Sequence, residues 1–152
     1  MKFVAVEDIA APAQTVWARV SDFDSFERRV SGKAGDIRRT PEGPARPGTT
    51  WQGRATFNGK TRDATVTVLE LTVPERLVVE GGTEGMNITV EVTVEALSPR
   101  SSRLTVTSEA KARTLAARLM LQSAKLARQA MAKRYKGRVA AFAEGIEKSA
   151  KA

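Results

Sequence analysis

The sequence predicts an α+β domain: a curved antiparallel β-sheet of about six to seven strands wrapped around a long C-terminal α-helix, with two short helices after the first strand. Three observations predict it. Period-two alternation recurs through the middle of the chain, most cleanly where Met86, Ile88, Val90, Val92, Val94 and Ala96 oppose Asn87, Thr89, Glu91, Thr93 and Glu95. That is the pattern of a strand with one dry face and one wet face. From Thr114 to Lys148 no proline intervenes, and Met120, Ala124, Ala127, Met131, Tyr135, Val139, Phe142 and Ile146 recur at helical steps of three and four. Finally, 152 residues suit one domain spanning the whole chain, 1–152.

The first strand is expected over residues 2–10, with its inward face left open because Val4 and Val6 oppose Phe3, Ala5 and Ile9. A short helix follows over residues 12–20. Pro12 fits its first turn, where a missing N–H costs nothing, and Val16, Trp17 and Val20 fall on one side. Asp22 or Asp24 caps a second short helix, and Asp24-Ser25-Phe26-Glu27 has capping-box spacing. Acids crowded at a helix start are better explained by capping than by a carboxylate site. A second strand near 33–40 leads into the proline-rich loop Pro41 to Gly48, which reads equally as a rigid connection or as the rim of a site.

Asn58-Gly59 is the signature of a two-residue hairpin turn and sets a register. Phe57 then faces Lys60, Ala55 faces Arg62, Gly53 faces Ala64 and Trp51 faces Val66. The inner face collects Trp51, Gly53, Ala55, Ala64, Val66 and Val68, with Arg62 on or near it, while Arg54 and Asp63 pair outward. Leu77 to Val79 begin another strand, Gly81 to Gly85 read as a turn, and Leu104, Val106, Ser108 and Ala110 alternate in the last strand. The closing helix over 114–148 would be roughly 50 Å long. Gly137 lowers its local helix preference by about 1 kcal/mol and marks a candidate bend.

Cysteine and histidine are absent. This excludes disulfides, thiolate nucleophiles, Cys/His zinc sites and imidazole acid–base chemistry. Carboxylate-only sites for hard cations stay open, yet no EF-hand-like loop appears, and no metal and no cofactor are expected. No apolar run approaches the roughly 18 residues of a membrane span. Phe3-Val4-Ala5-Val6 is broken by Glu7 and Asp8 before a signal peptide can form, which makes cytoplasmic the default expectation.

The net charge is +8, but from residue 111 onward there are 11 Lys and Arg against 2 Glu. The excess therefore lies on the C-terminal segment. Lys125, Arg128, Lys133, Arg134, Lys136 and Arg138 offer a surface for weak contact with an anionic membrane or for nucleic acid. No nucleic-acid motif or interleaved aromatic residue supports the latter, and a solvated helix face explains the charges most simply.

Ile9-Ala10-Ala11-Pro12 followed by Val16-Trp17 and Ser21-Asp22, then Pro47-Gly48 before Trp51, Val73-Pro74-Glu75-Arg76-Leu77 and the closing helix carry a family likeness. Over essentially the whole chain the sequence resembles the START-like (SRPBCC, birch-pollen-allergen-like) helix-grip superfamily. Within it, the likeness is to the polyketide cyclase/dehydrase and lipid-transport family. The resemblance implies a cavity between the sheet and the long helix that accepts lipids, polyketides or similar apolar molecules. It transfers no catalytic residues, and the oligomeric state stays open.

The expected cavity is lined by Trp51, Ala55, Arg62, Ala64, Val66, Met86, Ile88, Val90 and Val92 from the sheet and by Met120, Ala124, Ala127, Met131 and Tyr135 from the helix. Small side chains leave space and methionines adapt to irregular ligands. Arg62 and Tyr135 are candidates to orient a ligand; ordinary solvation of Arg62 and packing of the Tyr135 ring are the competing readings. Binding or carriage of a small hydrophobic ligand asks only for the cavity. The alternative, a cyclase, dehydratase or aromatase without metal or nucleotide cofactor, needs a placed acid or base, and only Tyr135, Arg62 and Glu7 are available.

Overall fold

The computed structural model describes residues 1–34, 37–57, 59–83 and 85–151, with backbone alone at 32–34, 55 and 57. The element order is β1 (Lys2–Ile9), α1 (Ala13–Val20), α2 (Phe23–Ala34), β2 (Arg38–Thr40), β3 (Thr50–Phe57), β4 (Lys60–Thr72), β5 (Arg76–Thr83), β6 (Met86–Ser98), β7 (Ser101–Ala112), α3 (Leu115–Lys125) and α4 (Arg128–Lys151). The strands form one seven-stranded antiparallel sheet in the order β1-β7-β6-β5-β4-β3-β2. From β1 at one edge, α1 and α2 carry the chain to the opposite edge. It then meanders back until β7 pairs with β1. Register in the β3–β4 hairpin follows the turn chemistry, with Trp51 opposite Val66, Gly53 opposite Ala64 and Ala55 opposite Arg62. Asn58 lies outside the described residues; Gly59 has φ 76°, the left-handed region that such a turn requires.

α4 lies along β1, and α1 packs on β6 and β7. Ala5 and Ile9 are buried while Val4 and Val6 are exposed, which settles the inward face of β1. The core gathers Val16, Trp17 and Val20 of α1 with Ile9, Val94, Leu104, Ala143 and Ile146. Within it the buried Ser102 hydroxyl donates to the Ala11 carbonyl at 2.7 Å, so its burial leaves no orphaned polar atom.

Four expectations need correction. The strand expected near 33–40 pairs only over Arg38–Thr40, because α2 runs on to Ala34; Gly35 and Asp36 lie outside the described residues. The capping box does not form: Asp22 accepts the Ser25 N–H at 3.2 Å, and both Asp24 and Glu27 turn to Arg39 instead. Gly81, Gly82 and Thr83 stay in β5, and Gly85 supplies the left-handed turn residue with φ 81°. Ile88, on the face expected to be dry, is 42% exposed.

The C-terminal helix is also interrupted, at Leu126–Ala127 and not at Gly137, through which α4 passes. At the break the N–H groups of Leu126 and Ala127 donate to Ser123 and Ala124, a tighter i−3 pattern. The two halves are anchored separately, α3 against β7 and the β5–β6 turn and α4 mainly along β1. α3 begins at Thr114, whose side chain accepts the Ala117 N–H, and the preceding Arg113 N–H donates to the Gly85 carbonyl at 2.7 Å. A Cβ on Gly85 would stand 2.5 Å from Thr114 Oγ1, so this corner needs glycine twice over. α4 is tied to β1 and β7 through Arg128 and Tyr135.

Candidate functional site

Beside the packed core, the space between sheet and helices widens into a cavity of about 670 Å³. Val66, Val79, Val92 and Val106 form its sheet wall; Tyr135, Val139 and Phe142 of α4 face them. α2 closes a side with Phe23, Phe26 and Val30, and Phe26 reaches Phe142 with ring centroids 6.4 Å apart. Gly53 and Ala64, paired across β3 and β4, put almost no side-chain volume on the wall. An apolar surface is thus built around space that side chains leave unfilled.

Of the polar groups on this wall, Glu27, Trp51 and Tyr135 are engaged, while Gln52, Arg54 and Arg138 also border the cavity. Glu27 Oε1 accepts from Trp51 Nε1 at 2.5 Å and from Arg39 Nε at 2.6 Å. Arg39 continues to Asp24 Oδ1 at 2.6 Å and to the Gly43 carbonyl at 2.8 Å, and its guanidinium lies 5.6 Å from the Trp51 ring centroid. The hydrogen bond that Arg39 donates to Glu27 holds its pKa above the ordinary value. Phe23 also packs on Trp51, with ring centroids 5.4 Å apart. Carboxylate, guanidinium and indole therefore fix Trp51 as a rigid edge of the cavity. Tyr135 Oη donates to the Val106 carbonyl at 3.1 Å and shares a 2.9 Å hydrogen bond with Ser108. Burial pushes this phenol above its ordinary pKa, opposed in part by the Ser108 bond. Tyr135 is a neutral, positioned hydroxyl and a poor base.

The cavity sits closer to α2 than the sequence pattern places it. Trp51, Ala64, Val66, Val92 and Tyr135 are on its wall. Met86, Ile88 and Val90 share the sheet face but lie beyond the wall, toward the β5–β6 turn. Met120 and Ala124 belong to α3, Ala127 is exposed at the helix break and Met131 precedes Tyr135 by one turn; none of the four lines the cavity. Arg62 stands at the β3–β4 hairpin beside Arg54, Thr61 and Asp63, also off the wall. The Ala55 side chain lies outside the described residues. These displacements share a cause: one straight helix would face the whole sheet, whereas α4 follows β1 and leaves α2 to close the cavity. Phe23, Phe26, Glu27 and Val30 were missed as site residues although their spacing of three, four and seven makes one helical stripe. The acids beside them invited a capping interpretation.

A curved antiparallel sheet gripping a C-terminal helix across an apolar cavity defines a helix-grip domain of the SRPBCC class. More particularly, the chain belongs to the polyketide cyclase/dehydrase and lipid transport family, whose sequence profile matches residues 1–147. Comparison with curated protein sequences finds no match. Among solved structures, the Thermus thermophilus protein TTHA0849 is similar at 14% identity and TM-score 0.67, over 98% of this chain and 99% of that one. The ZhuI aromatase/cyclase from a Streptomyces species is similar at 16% identity and TM-score 0.65, over 97% and 91%. Norcoclaurine synthase from Thalictrum flavum, in complex with dopamine and hydroxybenzaldehyde, is similar at 14% identity and TM-score 0.65, over 97% and 84%. At these identities the likeness is one of fold.

Proposed function

We propose that the protein binds a small hydrophobic ligand, a lipid, a polyketide or a molecule of similar character, in the cavity between sheet and α4. The observation that carries this reading is the cavity itself: about 670 Å³, within the range of small-molecule sites, with a wall built mostly of Val, Leu, Phe and Trp side chains. Binding is favoured over cyclase or dehydratase chemistry by the state of Glu27 and Tyr135, the carboxylate and the phenol among the lining residues. Glu27 is held by Arg39 and Trp51, and Tyr135 by Val106 and Ser108, so neither presents a free acid or base to a substrate.

The test uses the full chain and the neutral fluorescent probe N-phenylnaphthylamine. Saturable binding at one site per chain is expected, with at least about a tenfold loss in affinity when Val92→Trp fills the cavity. Native mass spectrometry after gentle purification checks for a co-purifying apolar molecule. Absence of saturable binding, or binding indifferent to Val92→Trp, would overturn the proposal.

A further inference from the structure

α3 is apolar on two opposite sides. Its inward side buries Ala117 and half-buries Met120, Leu121 and Ala124. On the other side Leu115 is 73% exposed, Leu119 56% and Leu126, at the break, 92%. Steps of four and seven residues place these leucines on one stripe, diametrically across the helix from Ala117. Arg118 and Lys125 run along one flank of the stripe, with Arg113 just before its first turn, and no Asp or Glu occurs between Glu109 and Glu144. One exposed leucine needs no explanation. Three in register on an 11-residue helix and its break, each more than half exposed, with cations along one flank and no acid on the helix, do.

We propose that α3 docks on an anionic lipid surface, its leucines entering the acyl boundary while Arg118 and Lys125 meet headgroup phosphates. The charge pattern and the leucines together select this occupant. Nucleic acid matches the cations but offers no apolar phase to the leucines. A second copy paired about a twofold axis would set Arg118 and Lys125 against their own counterparts with no acid between them. Two cations of α4 are turned elsewhere: Arg138 borders the cavity, and Arg128 bends back over Phe3 to the Lys2 carbonyl. Anchored by the Thr114 cap and the Arg113 to Gly85 bond, α3 is held against the domain with its leucine stripe outward. Docking needs nothing in the cavity, so it stands or falls apart from the ligand proposal.

Flotation of the full chain with phosphatidylcholine vesicles, with and without phosphatidylglycerol, tests it at low and high salt. Binding to the anionic vesicles alone is expected, weakening as salt rises. Leu119→Gln with Leu126→Gln should lower that binding by about tenfold or more, and Arg118→Gln with Lys125→Gln should lower it and flatten its salt dependence. Both pairs are exposed, so thermal unfolding should match the native chain. Leu126→Trp should give blue-shifted emission on anionic vesicles. Failure to bind anionic vesicles, equal binding to neutral ones, or undiminished binding by the leucine variant overturns the proposal. So does self-association that the leucine variant abolishes without vesicles, or duplex DNA binding that it leaves intact.

Discussion

Two ends of one sheet face, built from the same alternating apolar pattern, have opposite fates. Where α1 covers it, Val94, Val16, Ile9 and Ile146 are buried and Trp17 fills the remaining space. Toward β3 and the β5–β6 turn, Val66 stays 38% exposed and the wall borders a cavity. The strands do not make this difference. It comes from what lies above them: a tryptophan-bearing helix at one end, and at the other a gap between α2 and α4 over Gly53 and Ala64. The packed end supplies stability, so the open end can leave apolar surface without a protein partner.

The largest expected effect falls at the packed end. Ile146→Ala should cost about 2–5 kcal/mol in denaturant unfolding, because a sealed site collapses poorly around lost methyl groups. Enlarging a residue then contrasts the two ends directly. Ala143→Leu, in the core, should cost about 1–3 kcal/mol through overpacking, whereas Ala64→Leu enters open volume and should stay within about 0.5 kcal/mol. Equal costs at both positions would break the comparison.

At the boundary, Glu27→Ala removes the acceptor shared by Trp51 and Arg39 and should cost about 1–2 kcal/mol, since Asp24 still holds the guanidinium. Its sharper signature is a changed Trp51 emission, as the indole loses its fixed partner. The smallest effect is a titration. The chain has a single tyrosine, so phenolate absorbance reports Tyr135 alone, and its midpoint should lie above the ordinary value of 10.0. The folded state holds this proton more tightly than the unfolded chain. Stability should therefore be unaffected below the unfolded midpoint and fall as pH rises from there through the folded one. A midpoint at the ordinary value would put the hydroxyl in water.

Legibility followed the range of the signal. The β3–β4 register was readable from Asn58-Gly59, and the β6 strand from Met86 to Ala96, because turn chemistry and period two are local. The interruption at Leu126–Ala127 was not readable, since the apolar period runs straight through it and neither residue breaks helices. Glu27 was read as a cap because nothing in the four residues around it names Arg39 or Trp51 as its partners.

The sequence by itself determined most of the elements, the half-buried sheet, a helical C-terminus and the chemistry excluded by the absence of cysteine and histidine. Only the tertiary structure decided which end of the sheet closes, that α2 walls the cavity, and that the leucines of α3 face outward. Periodicity states which side of an element is apolar. What that side meets depends on contacts far apart in the chain, such as Glu27 with Trp51 and Tyr135 with Val106, and these exist only once the helices are docked.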